Sequence, residues 1–163
     1  VLGNPPNSCF TTVSPTAWNI IEKVKYAGYD ALLDFRNAFK MGKFPYTLSW
    51  VNMAQLHLAS EKLLTEGLDN VYARHETCAA MVRDCLKQKG IKLFPMSEEY
   101  SASTVTAAYV PDGFSWEEWN NTLRSKGVVC GGSLGQLSGK VFRVGHMGNQ
   151  ANLDNIKILC GSL

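Results

Sequence analysis

The spacing of apolar positions along this chain changes near residue 90. Before that point they recur mostly three and four residues apart, the period of helices with one buried face. Beyond it, short alternating runs are interleaved with helical ones. Residues 8–14, rich in β-formers, read as a short strand. Ser14 then caps a helix with Pro15 at its first position and Trp18, Ile21 and Val24 along its apolar side. Leu32, Leu33, Phe35 and Phe39 give a brief helical phase, which runs into a basic, aromatic loop over 40–46 where Pro45 blocks continuation. From Val51 to Leu64, apolar residues set among small ones predict a largely buried helix. The clearest helix follows, with Val71, Cys78, Met81, Val82, Cys85 and Leu86 on one stripe and Gly90 at its end.

The remainder reads β-α-β-β-α. Strands are predicted at 91–95 and 104–110. A helix follows from Ser115, with Glu118 three residues on in the spacing of a capping box. Two more strands, at 127–130 and 140–145, precede a last helix that starts near Asn152 or Leu153. Such an order predicts an α+β unit with one sheet over residues 91–163. Residues 1–90 hold a single strand and no sheet to cover, so they read as the tail of a larger domain.

Composition narrows the class. The chain has 163 residues, 45% hydrophobic and 18% charged, with 14 Gly and 6 Pro, which excludes a disordered tail, a collagen-like repeat and a coiled coil. A net charge of +2 gives no case for a nucleic-acid partner, and no apolar run reaches the length of a membrane span. Five cysteines without a CxxC pair predict reduced thiols in an intracellular protein. The opening VLGNPPNSCF has neither a starting Met nor the parts of a signal peptide, so further sequence is expected upstream.

Few residues carry recognisable chemistry. No HExxH, EF-hand loop, CxxC pair, P-loop or GxSxG elbow is present, and His57, His75 and His146 share no ligand spacing. Gly131, Gly132 and Gly135 fit either a tight turn between strands or a ligand-facing loop. Arg143, in FRVGHMG, sits among alternating apolar residues, where its guanidinium needs an anion or acceptor. That partner is either a substrate carboxylate or a structural Asp or Glu. Lys40, Lys43, Tyr46 and Thr47 form a second polar cluster, suited to a phosphate or simply to solvent.

Three stretches, VLGNPPN, the basic loop through PYTLS and GGSLGQLSGKVFRVGHMG, resemble the C-terminal part of class V aminotransferases, the fold-type I pyridoxal-phosphate enzymes. The resemblance extends over essentially the whole chain. It implies an α/β fold of which only the second half is here: the end of the large domain with its connecting helix (1–90) and the small C-terminal domain (91–163). It implies transfer of an amino group from a small amino acid or amine to a 2-oxo acid such as glyoxylate or pyruvate. Pyridoxal 5'-phosphate would be the cofactor, bound by a lysine immediately before Val1.

By the same resemblance, Arg143 takes the substrate carboxylate, and Thr47 reaches across a homodimer to the neighbouring cofactor's phosphate. Gly3, Pro5 and Pro6 form the turn after the lysine. Tyr46 stands where some relatives carry histidine, and the GHMG around His146 and Met147 is shared with several. The partners implied are the missing N-terminal half and a second copy, in an intracellular setting, cytoplasmic or peroxisomal. A lyase or desulfurase of the same fold, or a subunit without chemistry, is the alternative; Cys130, in a β-rich run, is poorly placed as a desulfurase cysteine.

Overall fold

The computed structural model describes Asn4 and residues 7–163, so Gly3, Pro5 and Pro6, the turn expected from the resemblance, lie outside the described residues. Contacts divide the chain into two units, Asn4–Leu58 and Ala59–Leu163.

In the first unit, helix α1 (Pro15–Val24) begins as its sequence requires, with the Ser14 hydroxyl accepting the Ala17 N–H at 3.2 Å. A 3-10 turn (Leu33–Phe35) and the four-residue α2 (Ala38–Met41) follow. Gly42, at φ +61°, then reverses the chain in a conformation that costs glycine little. The strand expected over 8–14 does not form. A strand needs a partner ladder for its N–H and C=O groups, and among the described residues none lies beside it. Instead the Asn7 amide donates to Asn52 and Gln55, at 2.9 and 2.8 Å.

Helix α3 (Trp50–Glu66) carries the chain from one unit into the other. The helix is where the apolar spacing put it, but it is not buried. Only Ala59 is fully shielded, while Trp50, Val51, Met53, Leu58 and Leu64 are exposed. Its apolar residues are spread around the axis and do not gather on one stripe, so Leu56 and Leu63 are half-buried while the others stay uncovered among the described residues.

The second unit is built on helix α4 (Leu68–Gln88), whose buried face is Val71, His75, Cys78, Ala79, Val82, Cys85 and Leu86. Gly90, at φ +74°, ends it, and the Ile91 N–H returns to the Leu86 carbonyl. A three-stranded antiparallel sheet, ordered β1-β3-β2, packs on this face: β1 is Val105–Tyr109, β2 Gly131–Gly132 and β3 Val141–Gly145. Between β1 and β2, helix α5 (Trp116–Ser125) starts on a complete Ser115–Glu118 capping box; α6 (Leu153–Ser162) closes the chain. Leu86, Leu123 and Phe142 are fully buried together at the centre.

Two predicted strands are corrected. Residues 91–95 make one isolated bridge, Leu93 to Ala108, because only Lys92 and Phe94 exchange backbone bonds with β1. The strand placed at 127–130 shifts to Gly131–Gly132, the residues read as a turn or ligand loop. Cys130 is instead buried as a core residue. The residue-90 boundary also differs from the contact division of this chain. Helix α4 precedes it, yet Cys78, Val82 and Leu86 share one core with Ile91 and Phe142. Among the described residues, no helix is long and apolar enough to cross a membrane.

Candidate active site

Strand β3 presents its residues alternately. Phe142 and Val144 enter the core, while Arg143 stands exposed on the opposite face. Its cross-strand neighbours are Ala107 on β1 and Gly131 on β2. These share a face with it and have almost no side chain, so the guanidinium is not roofed. Its Nε donates to the Gly132 carbonyl at 2.9 Å. Among the described residues it forms no ion pair. The structural Asp or Glu partner left open by the sequence is therefore not there, and neither is the burial that its apolar neighbours suggested.

A second arginine in the same unit shows the contrast. Arg74 on α4 is held on every side: Nε and Nη2 donate to the two oxygens of Glu66 at 2.6 and 2.8 Å, and Nη1 donates to the Gly148 and Ala151 carbonyls at 2.8 Å each. The guanidinium in turn holds the Glu66 carboxyl below its ordinary range. Sequence reading passed over Arg74 because its partners, 8 to 77 residues away, leave no local pattern.

Two of the three histidines, His75 and His146, are structural. His75 Nδ1 bonds the Val71 carbonyl at 2.7 Å, and its Nε2 accepts the Gly148 N–H at 2.9 Å. His146 is fully buried between the Thr106 hydroxyl and the Ser103 carbonyl. Burial pushes its pKa below the usual value. Among the described residues no group of three His, Cys, Asp or Glu side chains is placed to hold a metal. The Cys130 thiol, buried, is pushed up to about 11, so it offers no thiolate at neutral pH.

In the first unit, Tyr46 stacks on Tyr29, with ring centroids 4.4 Å apart, and lies 5.8 Å from Phe35. Burial raises its hydroxyl pKa. The ring anchors the loop, leaving the next residue, Thr47, exposed. Lys40 and Lys43 are exposed as well and form no ion pair among the described residues. A 660 Å³ cleft in this unit is lined by Tyr29, Asp34, Asn37, Lys43 and Tyr46 among others. Thr47 belongs to this unit and Arg143 to the other.

No family model matches the chain. Individual proteins do. An uncharacterized aminotransferase of Methanocaldococcus jannaschii is 38% identical over 152 residues, 90% of this chain and 39% of that protein. The L-aspartate–glyoxylate aminotransferase of Paracoccus denitrificans is 32% identical over 89% of this chain and 37% of its own length. Among solved structures, pyridoxamine–pyruvate aminotransferase from Mesorhizobium loti superposes with a TM-score of 0.83 at 30% identity, covering 93% of this chain and 40% of that one. The homologues of this chain are class V aminotransferases. Its architecture is part of the fold-type I fold that serves pyridoxal phosphate in this class. A Bacillus subtilis ureidoglycine–glyoxylate aminotransferase, 22% identical, supports the same fold with a TM-score of 0.82 over 90% of the chain and 39% of its own. The chain spans about two fifths of the length of these relatives.

Proposed function

We propose that this chain is the second part of a pyridoxal-phosphate-dependent aminotransferase, which moves an amino group from a small amino acid or amine to a 2-oxo acid such as glyoxylate or pyruvate. One observation carries the reading beyond homology: Arg143 is exposed, unpaired with any carboxylate among the described residues, and tethered at one nitrogen. An arginine held that way is set to receive a carboxylate from outside. The relatives' named activities, on glyoxylate and pyruvate, agree with a small carboxylate ligand.

Pyridoxal phosphate, when bound, supplies the electron-withdrawing ring that makes amino transfer feasible. This chain's residues would do the holding. Arg143 fixes the substrate carboxylate and with it the direction in which the α-carbon points. The Thr47 hydroxyl donates to the phosphate of a cofactor shared across a homodimer, and Lys40 and Lys43 offset its charge. A hydroxyl and two ammonium groups with no anion of their own among the described residues form a donor set that suits a phosphate. The Schiff-base lysine lies immediately before Val1, in an N-terminal half that completes the large domain with residues 1–90. The setting is intracellular, most simply the cytoplasm.

The test is Arg143→Ala in the full-length protein, followed as the change in cofactor absorbance when an amino donor is added. The absorbance before addition stays as in wild type, while the rate falls at least about tenfold, the worth of a charged hydrogen-bonded contact. Arg143→Lys recovers little, because a point charge does not reproduce the planar fork. A rate within about twofold of wild type for Arg143→Ala would make this arginine structural.

A further inference from the structure

A guanidinium can grip a carboxylate at two points in two ways: side-on through Nε and one Nη, or end-on through both Nη atoms. This chain contains the side-on form, since Arg74 takes Glu66 through Nε and Nη2. In Arg143 that edge is not available, because Nε already donates to the Gly132 carbonyl at 2.9 Å.

Gly132 is itself confined from the other face of the sheet. It pairs with Phe142, and a Cβ added to it would lie 3.0 Å from Cε2 and Nε1 of Trp116 and 3.2 Å from Cζ2. The indole has little room to retreat. It stacks on Phe142 at 6.3 Å and 19°, and Phe142 is fully buried behind it. Trp116 is also the first residue of α5, fixed by the capping box at Ser115. Strand β2, by contrast, is two residues long and bonded only to β3, so it is the part that yields. Gly131 is different: a Cβ there would make ordinary contact with the Arg143 side chain, 3.6 Å from Nη2.

We propose that Gly132 is a positioning residue for Arg143, its carbonyl holding Nε so that a ligand carboxylate is taken end-on through Nη1 and Nη2, and its missing side chain sparing that carbonyl displacement by a collision with Trp116. The proposal rests on reading Arg143 as the carboxylate ligand. It adds the direction of approach and names two residues, Gly132 and Trp116, that never touch the ligand.

Propionate, a carboxylate with no amino or oxo group, is the probe, and propionamide the uncharged control. Their affinities for the full-length holoenzyme are read by NMR line broadening, with no turnover required. Gly132→Ala weakens propionate about tenfold and leaves propionamide unchanged. Trp116→Leu alone changes propionate by less than about twofold. Gly132→Ala combined with Trp116→Leu recovers most of the loss, a rescue that general destabilisation would not give. Propionate binding that survives Arg143→Ala overturns the reading of Arg143 itself. If Arg143→Ala abolishes binding while Gly132→Ala does not weaken it, or the double variant fails to recover it, the role given to Gly132 is overturned and that of Arg143 stands. A crystal structure of the wild type with propionate is independent of variant folding: contact through Nη1 and Nη2 with Nε still on Gly132 supports the proposal, and side-on contact through Nε ends it.

Discussion

The Thr106 hydroxyl donates to Nε2 of His146 at 2.8 Å, which leaves the ring proton on Nδ1, facing the Ser103 carbonyl at 3.2 Å. Thr106 lies on β1 and His146 just after β3, so this hydrogen bond closes the end of the sheet from inside. Both side chains are buried. A second ring proton would require the threonine hydroxyl to turn and accept it, and would place a charged ring in a fully buried site.

That arrangement sets a pH dependence. Burial, helped by the charges of Arg83 and His75, holds the His146 pKa below its usual 6.5. Between the folded value and 6.5 the unfolded chain binds more protons, so stability falls as pH drops through that window and is fully present above it. The urea midpoint should therefore be lower at pH 5.5 than at pH 7.5, and His146→Gln should reduce the difference. Glu66, Glu98 and Glu118 all have pKa values pulled below 4.5, so their contributions are lost only at more acid pH. An unchanged slope in His146→Gln would show that the ring does not control it.

Arg74 is expected to matter more for stability than any other surface-reaching charge. Replacing it with Met leaves the Ala151 carbonyl without its donor, the Gly148 carbonyl with the Ala151 N–H alone, and Glu66 without its partner. A loss of about 2 kcal/mol in unfolding free energy is expected, measured by urea denaturation. Arg83→Met, which loses one long contact to Glu98 at 3.3 Å, should cost much less.

The cysteines should separate by reactivity. Cys78, Cys85 and Cys130 are buried, and the Cys85 and Cys130 thiols are pushed up to about 12 and about 11. With an aromatic disulfide reagent at pH 7.5, these three should react only as fast as the protein unfolds, whereas Cys9 is exposed in this chain. Rapid labelling of Cys130 in the native protein would revive the desulfurase reading.

Ser115 should be worth about 1 kcal/mol as a cap. Its hydroxyl accepts the Glu118 N–H at 3.2 Å, while the Glu118 carboxylate returns to the Ser115 N–H at 2.8 Å. Ser115→Ala should lower the urea midpoint accordingly, and Ser115→Asp should recover part of the loss.

The elements legible in the sequence are those whose signals are local. Ser14 with Pro15, and Ser115 with Glu118, specify helix starts by hydrogen bonds within three residues. The stripe on α4 survives because one continuous core takes it up. What failed needed a distant partner. Among the described residues, 8–14 have strand composition but no ladder, and α3 has exposed apolar residues with no cover. Gly131–Gly132 form a strand although glycine has little strand preference, because that edge of β3 needs a backbone that passes close under Trp116. At the site, the face on which Arg143 stands follows from alternation, but neither its exposure nor its tether to Gly132, eleven residues earlier, does.

The row Ala107–Arg143–Gly131 across the sheet has a practical meaning for anyone wishing to redesign the approach to the arginine. The arginine stands like a post between two bare plots, and whatever is built on those plots decides how bulky a guest reaches it. Position 107 lies on the five-residue strand β1 and can be enlarged without disturbing the Nε tether. Position 131 lies against the guanidinium itself, so a side chain there would narrow the approach to Nη2. On the proposed reading of Arg143, position 107 then offers a place to change size selection while the charge that receives the ligand is kept.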